Sequence, residues 1–258
     1  MIYGDNDMKQ FVKKHFKGIT SSSRFAYLPK GIFEVDDISA LDLVVFATIA
    51  VHSVYTNGSY VFYSSNAKHI LSLIGMTNHS NGKNLAKVNA SIKKLLDLNL
   101  ISCSQCKEKS YCDYALVLED KERFSVLPID GYYSIIRSGS VDSQTISLLA
   151  VYVTIVGGIY QPKKISGAKE QYVDPYKHCI NYRTNENIGS YINMGRVTVG
   201  KYIDELVKRG IIVRVRASVK GAKNMITYLS TKEFAQYMYK SLLFKIDNLT
   251  VIGIYPEK

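Results

Sequence analysis

The chain has 258 residues, 47% of them hydrophobic and 21% charged, which suits two globular domains of ordinary size and excludes a disordered polyelectrolyte. Its net charge of +11 points to a polyanionic partner, and the excess is uneven: residues 1–123 carry 15 Lys+Arg against 12 Asp+Glu, or +3, and residues 124–258 carry 18 against 10, or +8. The N-terminus is polar with no apolar export signal, and the longest apolar stretch, Ile146 to Val156, is well short of the roughly 20 residues a membrane span needs, so a cytoplasmic protein with no membrane partner is expected.

Residues 1–23 read as a basic N-terminal segment, with a short helix from Met8 to Phe16 and a Ser-rich linker from Thr20 to Ser23. A first domain is expected over residues 24–121. There Asp36 or Asp37 can cap a helix from about Ile38 to Val54, and its LVVFATIAV run, apolar on nearly all sides, belongs at the domain centre. Asn57-Gly58 marks a turn into a strand from Tyr60 to Tyr63. Next come a short helix with Ile70 and Ile74 inward, a turn, and an amphipathic helix from Asn84 to Leu98. That helix has Lys83, Asn84, Lys87 and Asn89 near its start, with Lys93-Lys94 later. A hairpin from Leu100 to Leu118 follows, tipped by Lys107-Glu108-Lys109.

A second domain is expected over residues 122–230, opening on a helix from Asp142 to Val156. The basic connection from Gly157 to His178 is longer than compact domains ordinarily use; it is either a DNA- or partner-contacting arm or, the commoner case, plain disorder. A strand from Cys179 to Tyr182 leads to a helix capped by Thr184 or Asn185. Ile188 and Ile192 form its inner face, and Met194-Gly195 makes the turn. The next helix buries Val199, Ile203, Leu206 and Val207, leaving Arg196, Thr198, Lys201, Glu205 and Lys208 outside. A hairpin from Ile211 to Leu229 alternates Val213 and Val215 inward with Arg214 and Arg216 outward, and its tip is Lys220-Gly221-Ala222-Lys223-Asn224. Residues 231–258 hold an amphipathic helix, Thr231 to about Phe244, and an apolar tail, LTVIGIY; the two suit either dimerisation or docking back on the second domain.

The two domains repeat one order. Ile70 and Ile74 answer to Ile188 and Ile192 at an offset of 118, and Leu100-Ile101 to Ile211-Ile212 at an offset of 111. The difference is a seven-residue insertion near Thr77 to Lys83 in the turn of the first copy. Leu28-Pro29 and Leu127-Pro128 each precede a long apolar helix. A period this long indicates duplicated domains, since solenoid repeats run about 20–50 residues.

Helix, tight turn, amphipathic helix and basic-tipped hairpin, in that order, resemble a winged helix-turn-helix, a module that binds double-stranded DNA. The fold expected is therefore α+β, mainly helical, with two tandem winged helix-turn-helix domains. In such modules the N-terminal part of the second helix meets base edges. Arg196 is the candidate for a bidentate contact to guanine, Thr198 for a thymine methyl or phosphate, and Lys201 for a phosphate or base. At the hairpin tip Lys220 and Lys223 are expected to supply sequence-independent phosphate affinity, and Lys208, Arg214, Arg216 and Asn224 are further DNA-binding candidates. In the first copy, whose hairpin tip is less basic, Lys83, Asn84 and Lys87 are the DNA-binding candidates; that copy either reads a second half-site or serves as a dimerisation domain that has kept the fold. A plain solvated helix face would carry similar residues one by one; the ordered constellation is what points to DNA.

Metal and enzyme chemistry find little support. Cys103 and Cys106 have a C-x2-C spacing, with Cys112 on the same hairpin, but a fourth zinc ligand has to come from Cys179 or His178 and no second C-x2-C exists. Thiol packing is the more ordinary reading, so no metal or cofactor is expected. Gly75 to Asn84 superficially resembles a phosphate loop, yet six residues separate its glycines where four are needed, and Asn84 replaces the magnesium-binding hydroxyl residue. The 20 tyrosines read as packing residues, and no enzymatic activity is expected.

Two consecutive modules of this kind, with long apolar first helices, resemble plasmid replication initiators. The opening YLPKGIFEVDDISALDLVVFATI resembles the N-terminal DNA-binding domains of initiators from Gram-positive plasmids, over about residues 25–230. The resemblance implies that the second domain reads an origin repeat and the first governs dimerisation; the long 157–178 connection and the cysteines of the first hairpin depart from it. The expectation is a sequence-specific DNA-binding protein acting as a homodimer, a transcription regulator of a mobile element or phage. The alternatives are a replication initiator that binds origin repeats and meets replication machinery, and a winged-helix protein-interaction module.

Overall fold

The structure, a computed structural model, describes residues 1–17, 24–77, 82–105, 111–117, 124–138, 142–159, 180–181 and 183–255. These residues fold as α+β, 51% helical, with nine α-helices and three small antiparallel sheets among them. In chain order they form α1 (Asp5–His15), β1 (Phe25–Pro29), a 3-10 turn (Lys30–Phe33), α2 (Ala40–His52), β2 (Val54–Thr56) and β3 (Ser59–Ser65). Then come α3 (Ala67–Leu73), α4 (Lys83–Asp97), β4 (Ile101–Gln105), β5 (Cys112–Leu116), β6 (Phe124–Pro128), α5 (Ile129–Ile136) and α6 (Asp142–Gly157). The chain ends with α7 (Asn185–Tyr191), α8 (Arg196–Lys208), β7 (Ile212–Val219), β8 (Ile226–Thr231), α9 (Ala235–Asp247) and β9 (Val251–Tyr255). None of the described helices is long and apolar enough to cross a membrane.

The expected division into 24–121 and 122–230 follows the sequence repeat. By contact the chain forms two compact units, a larger one of residues 24–157 with 185–202 and a smaller one of residues 1–23, 158–184 and 203–258. The dividing line falls inside the continuous helix α8, between Tyr202 and Ile203.

The larger unit is built on α2 and α6, the two apolar helices. They pack against each other, with Leu43 to Val51 of one and Leu148 to Val156 of the other buried. A helix apolar on every side must be surrounded by protein, which is why both lie in the core. The cap of α2 corrects the sequence reading. Asp37 has a left-handed φ of 66° and lies outside the helix. Ser39 is the N-cap, accepting from the Asp42 N–H at 3.2 Å, while the Asp42 carboxylate accepts from the Ser39 N–H at 2.9 Å. Burial opposes the charge on Asp42, but hydrogen bonds from Ser91 and Ser39 and the nearby Lys94 ammonium outweigh it and hold the carboxyl below its ordinary range.

β1 and β6 pair antiparallel, Phe25 facing Pro128 and Pro29 facing Phe124. FAYLP and FSVLP, the two segments that end in Leu-Pro, thus lie side by side as a two-stranded ribbon. The Asn57-Gly58 turn forms as expected, with φ of 47° and 84°, joining β2 to β3. β2-β3-β5-β4 make the four-stranded sheet; the tip of its β4–β5 hairpin, including Lys107-Glu108-Lys109 and Cys106, lies outside the described residues. α4 covers α2 and α3 with Val88, Ile92 and Leu95 buried.

The smaller unit has the sheet order β8-β7-β9. The C-terminal tail therefore docks back, running antiparallel to β7 as a third strand. Of the expected strand from Cys179 to Tyr182, Asn181 forms a bridge to Leu229; Cys179 and Tyr182 lie outside the described residues, as does most of the 157–178 connection. Helix α1 packs on α9 and β9. Its Met8 and Val12, with Phe16, share one apolar cluster with Val213, Val215, Met238, Leu242, Ile246 and Ile254.

Candidate nucleic-acid interface

The turn between α7 and α8 is set by one glycine. Ile188 and Ile192 are 0% and 3% exposed and pin α7 to the core. The Gly189 carbonyl then accepts from both the Ile192 N–H (3.1 Å) and the Met194 N–H (2.9 Å), while Asn193 takes a left-handed φ of 51°. A Cβ on Gly189 would stand 2.1 Å from the Met194 carbonyl oxygen. The chain can fold back this tightly only because that position carries no side chain.

Helix α8 then begins at Arg196. Val199, Ile203 and Leu206 are buried, whereas Val207, expected inside, is half-buried. Helical spacing puts Val197, Lys201, Asp204 and Lys208 on the ridge opposite the buried residues, with Thr198 and Glu205 beside it. Arg196, Thr198, Lys201 and Lys208 are all exposed, as expected. Val197, absent from the sequence-based candidates, is 66% exposed. Arg196 Nη1 donates to Glu186 Oε1 of α7 at 3.0 Å.

In the smaller unit, Val213, Val215 and Ala217 of β7 face inward and Arg216 faces solvent. Arg214 differs from expectation. Only 12% of its side chain is exposed, and Nη1 is paired with Asp204 of α8. The Asp204 carboxylate, in the second half of α8, gives its guanidinium a charge-assisted bond. Lys220, Gly221, Ala222, Lys223 and Asn224 are exposed at the hairpin tip. Gly221 takes a left-handed φ of 82°, and the Lys220 N–H donates to the Thr250 carbonyl at 2.9 Å, which ties the tip to the C-terminal strand.

In the larger unit, α4 exposes Lys83, Lys87 and Lys93, with the small Ala86 and Ala90 among them. Asn84 is half-buried and donates from Nδ2 to the Thr77 carbonyl at 2.8 Å, so it braces the entry to the helix. Lys94 is turned inward to Asp42 (3.3 Å) and the Asp37 carbonyl. Lys83, Asn84 and Lys87 on α4 and Arg196, Thr198 and Lys201 on α8 thus belong to the larger unit, and Lys208 and the hairpin residues to the smaller one.

The Thr48 hydroxyl and the buried Tyr132 hydroxyl lie 2.8 Å apart, and burial raises the Tyr132 phenol well above its ordinary range. Cys103 is exposed and Cys112 half-buried, and no group of three or more His, Cys, Asp or Glu among the described residues is placed to hold a metal ion. Comparison with family models, with curated proteins and with solved structures found no match for this chain.

Proposed function

We propose that the chain binds double-stranded DNA at specific sequences through two tandem winged helix-turn-helix modules, and regulates transcription of a mobile element or phage. The observation that carries this reading is α8. After a turn that only Gly189 permits, it exposes Arg196, Val197, Thr198 and Lys201, where a recognition helix carries its base-reading side chains. The lysines of the β7–β8 tip and of α4 suit phosphate contacts, and a net charge of +11 suits the partner. A replication initiator is the second reading, favoured by two copies of the module order in one chain and by the resemblance of the opening segment.

The test is footprinting over fragments of the surrounding genetic element at several salt concentrations. Discrete protected sites should appear, and Arg196→Ala should weaken them by roughly 1–3 kcal/mol. An inverted repeat at the protected site supports the regulator, and an array of direct repeats the initiator. Uniform weak protection, or binding to protein with no salt-dependent affinity for DNA, sinks the specific-reader proposal.

A further inference from the structure

Val197 and the Arg196–Glu186 pair carry more than a general affinity for DNA. Val197 is 66% exposed and sits on the ridge of α8 opposite Val199, so a surface that docks on the start of this ridge meets it beside Lys201. An isopropyl group can bond neither a phosphate nor a hydrogen-bonding base edge. The one group in the major groove it matches is the C5-methyl of thymine.

Next to it, Arg196 and Glu186 are 70% and 57% exposed and linked by a 3.0 Å bond. An ion pair this exposed adds little to fold stability, but it changes what the arginine can bind. The carboxylate offsets the guanidinium charge and so weakens attraction to any phosphate. It occupies one edge of a five-donor group, and the donors turned away from Glu186 can still reach neutral acceptors such as O6 and N7 of guanine. Glu186 also repels phosphates directly, which makes out-of-register binding less favourable.

Building on the DNA-binding reading above, we propose that Glu186 and Val197 determine the specificity of α8. Glu186 is a positioning residue that directs Arg196 to guanine in preference to phosphate, and Val197 reads the methyl of thymine in the adjacent base pair. The recognised sequence accordingly carries a guanine and a thymine in neighbouring pairs.

The experiment begins by selecting duplexes from a random pool with the wild-type full chain. Binding is then measured by anisotropy over a salt series for the wild type, Glu186→Gln, Val197→Ala and Arg196→Ala. The probes are the selected duplex, a non-cognate duplex of equal length, and the selected duplex with thymine replaced by deoxyuridine. The selected sequences should contain the guanine–thymine step, and Arg196→Ala should remove the preference at the guanine. Glu186→Gln should tighten non-cognate binding, narrow the cognate preference about fivefold or more, and steepen the salt slope by roughly one released counterion. Uracil should weaken the wild type about three- to fivefold, as loss of one buried methyl implies, and leave Val197→Ala unaffected.

The proposal is overturned if Glu186→Gln leaves the preference and salt slope unchanged, or lowers both affinities together with the melting temperature, as a merely structural residue would. Indifference of the wild type to uracil overturns the assignment of Val197. A wild type that binds no duplex in a salt-dependent way overturns instead the DNA-binding reading on which both rest.

Discussion

At the scale of single residues, the protonation of His52, half-buried against Thr48 and Tyr133, bears on the fold. Its Nδ1 lies 2.8 Å from the Thr48 carbonyl, which can only accept, so Nδ1 carries the hydrogen and Nε2 accepts from the Tyr133 hydroxyl at 3.1 Å. Burial lowers its pKa below the ordinary 6.5; the bond to Thr48 opposes that and the nearby His69 adds to it. The fold therefore favours the neutral ring, and the unfolded chain takes up the proton first as pH falls. The resulting stability is fully present above 6.5 and is lost as pH drops through the lowered native value. Asp42, also lowered, acts in the same direction, and its contribution is lost as pH falls from its ordinary 3.8 through the lowered native value. Urea midpoints measured at about pH 7.5 and about pH 5 should fall for the wild type, and His52→Gln, neutral at both, should show a smaller fall. Equal falls in the two proteins would assign the loss to other groups.

At the scale of elements, the α7–α8 turn makes the sharper prediction. Gly189→Ala places a Cβ 2.1 Å from the Met194 carbonyl oxygen, a clash with backbone that no rotamer relieves, and should destabilise the chain by about 1–3 kcal/mol. Gly195→Ala, where a Cβ meets nothing within 4 Å, should be nearly neutral, and urea midpoints of the two variants decide the matter. The sequence points to Met194-Gly195 as the turn, whereas the close backbone approach falls at Gly189. What periodicity and composition do make legible is the set of elements: α2 and α6 from unbroken apolar runs, α8 from its buried spacing, the hairpin turns from Asn57-Gly58 and Gly221. What they leave hidden depends on partners distant in the chain. The α2 cap went to Ser39 because Asp42, three residues on, completes a reciprocal pair. Arg196 and Glu186 are ten residues apart, as are Arg214 and Asp204, separations that no helical or strand period links. The tail could be read equally as a dimer contact or a third strand until its register with β7 was known.

At the scale of the molecule, the first and last parts of the chain fold as one body. Composition presents residues 1–23 as a basic appendage, and the lysines Lys13 and Lys14 do fall in the last turn of α1. The opposite face decides its role: Met8 and Val12, one helical turn apart, are 1% and 0% exposed, and they share a cluster with β7, α9 and β9. Ile2 continues the arrangement by exchanging both backbone hydrogen bonds with Ile254, at 2.7 and 3.0 Å. An N-terminal segment thus supplies core to a sheet more than 200 residues further on. Met8→Ala removes a fully buried side chain and should cost about 2–5 kcal/mol. Because α2 and α6 belong to the other compact unit, the loss should be local. Native-state hydrogen exchange should show faster exchange for amides of β7 and α9 and little change for those of α2 and α6. Equal acceleration in all four elements would mean that the two units unfold in a single cooperative step, and that the strength of the β7–β8 hairpin is set by the whole chain and not by the helix at its start.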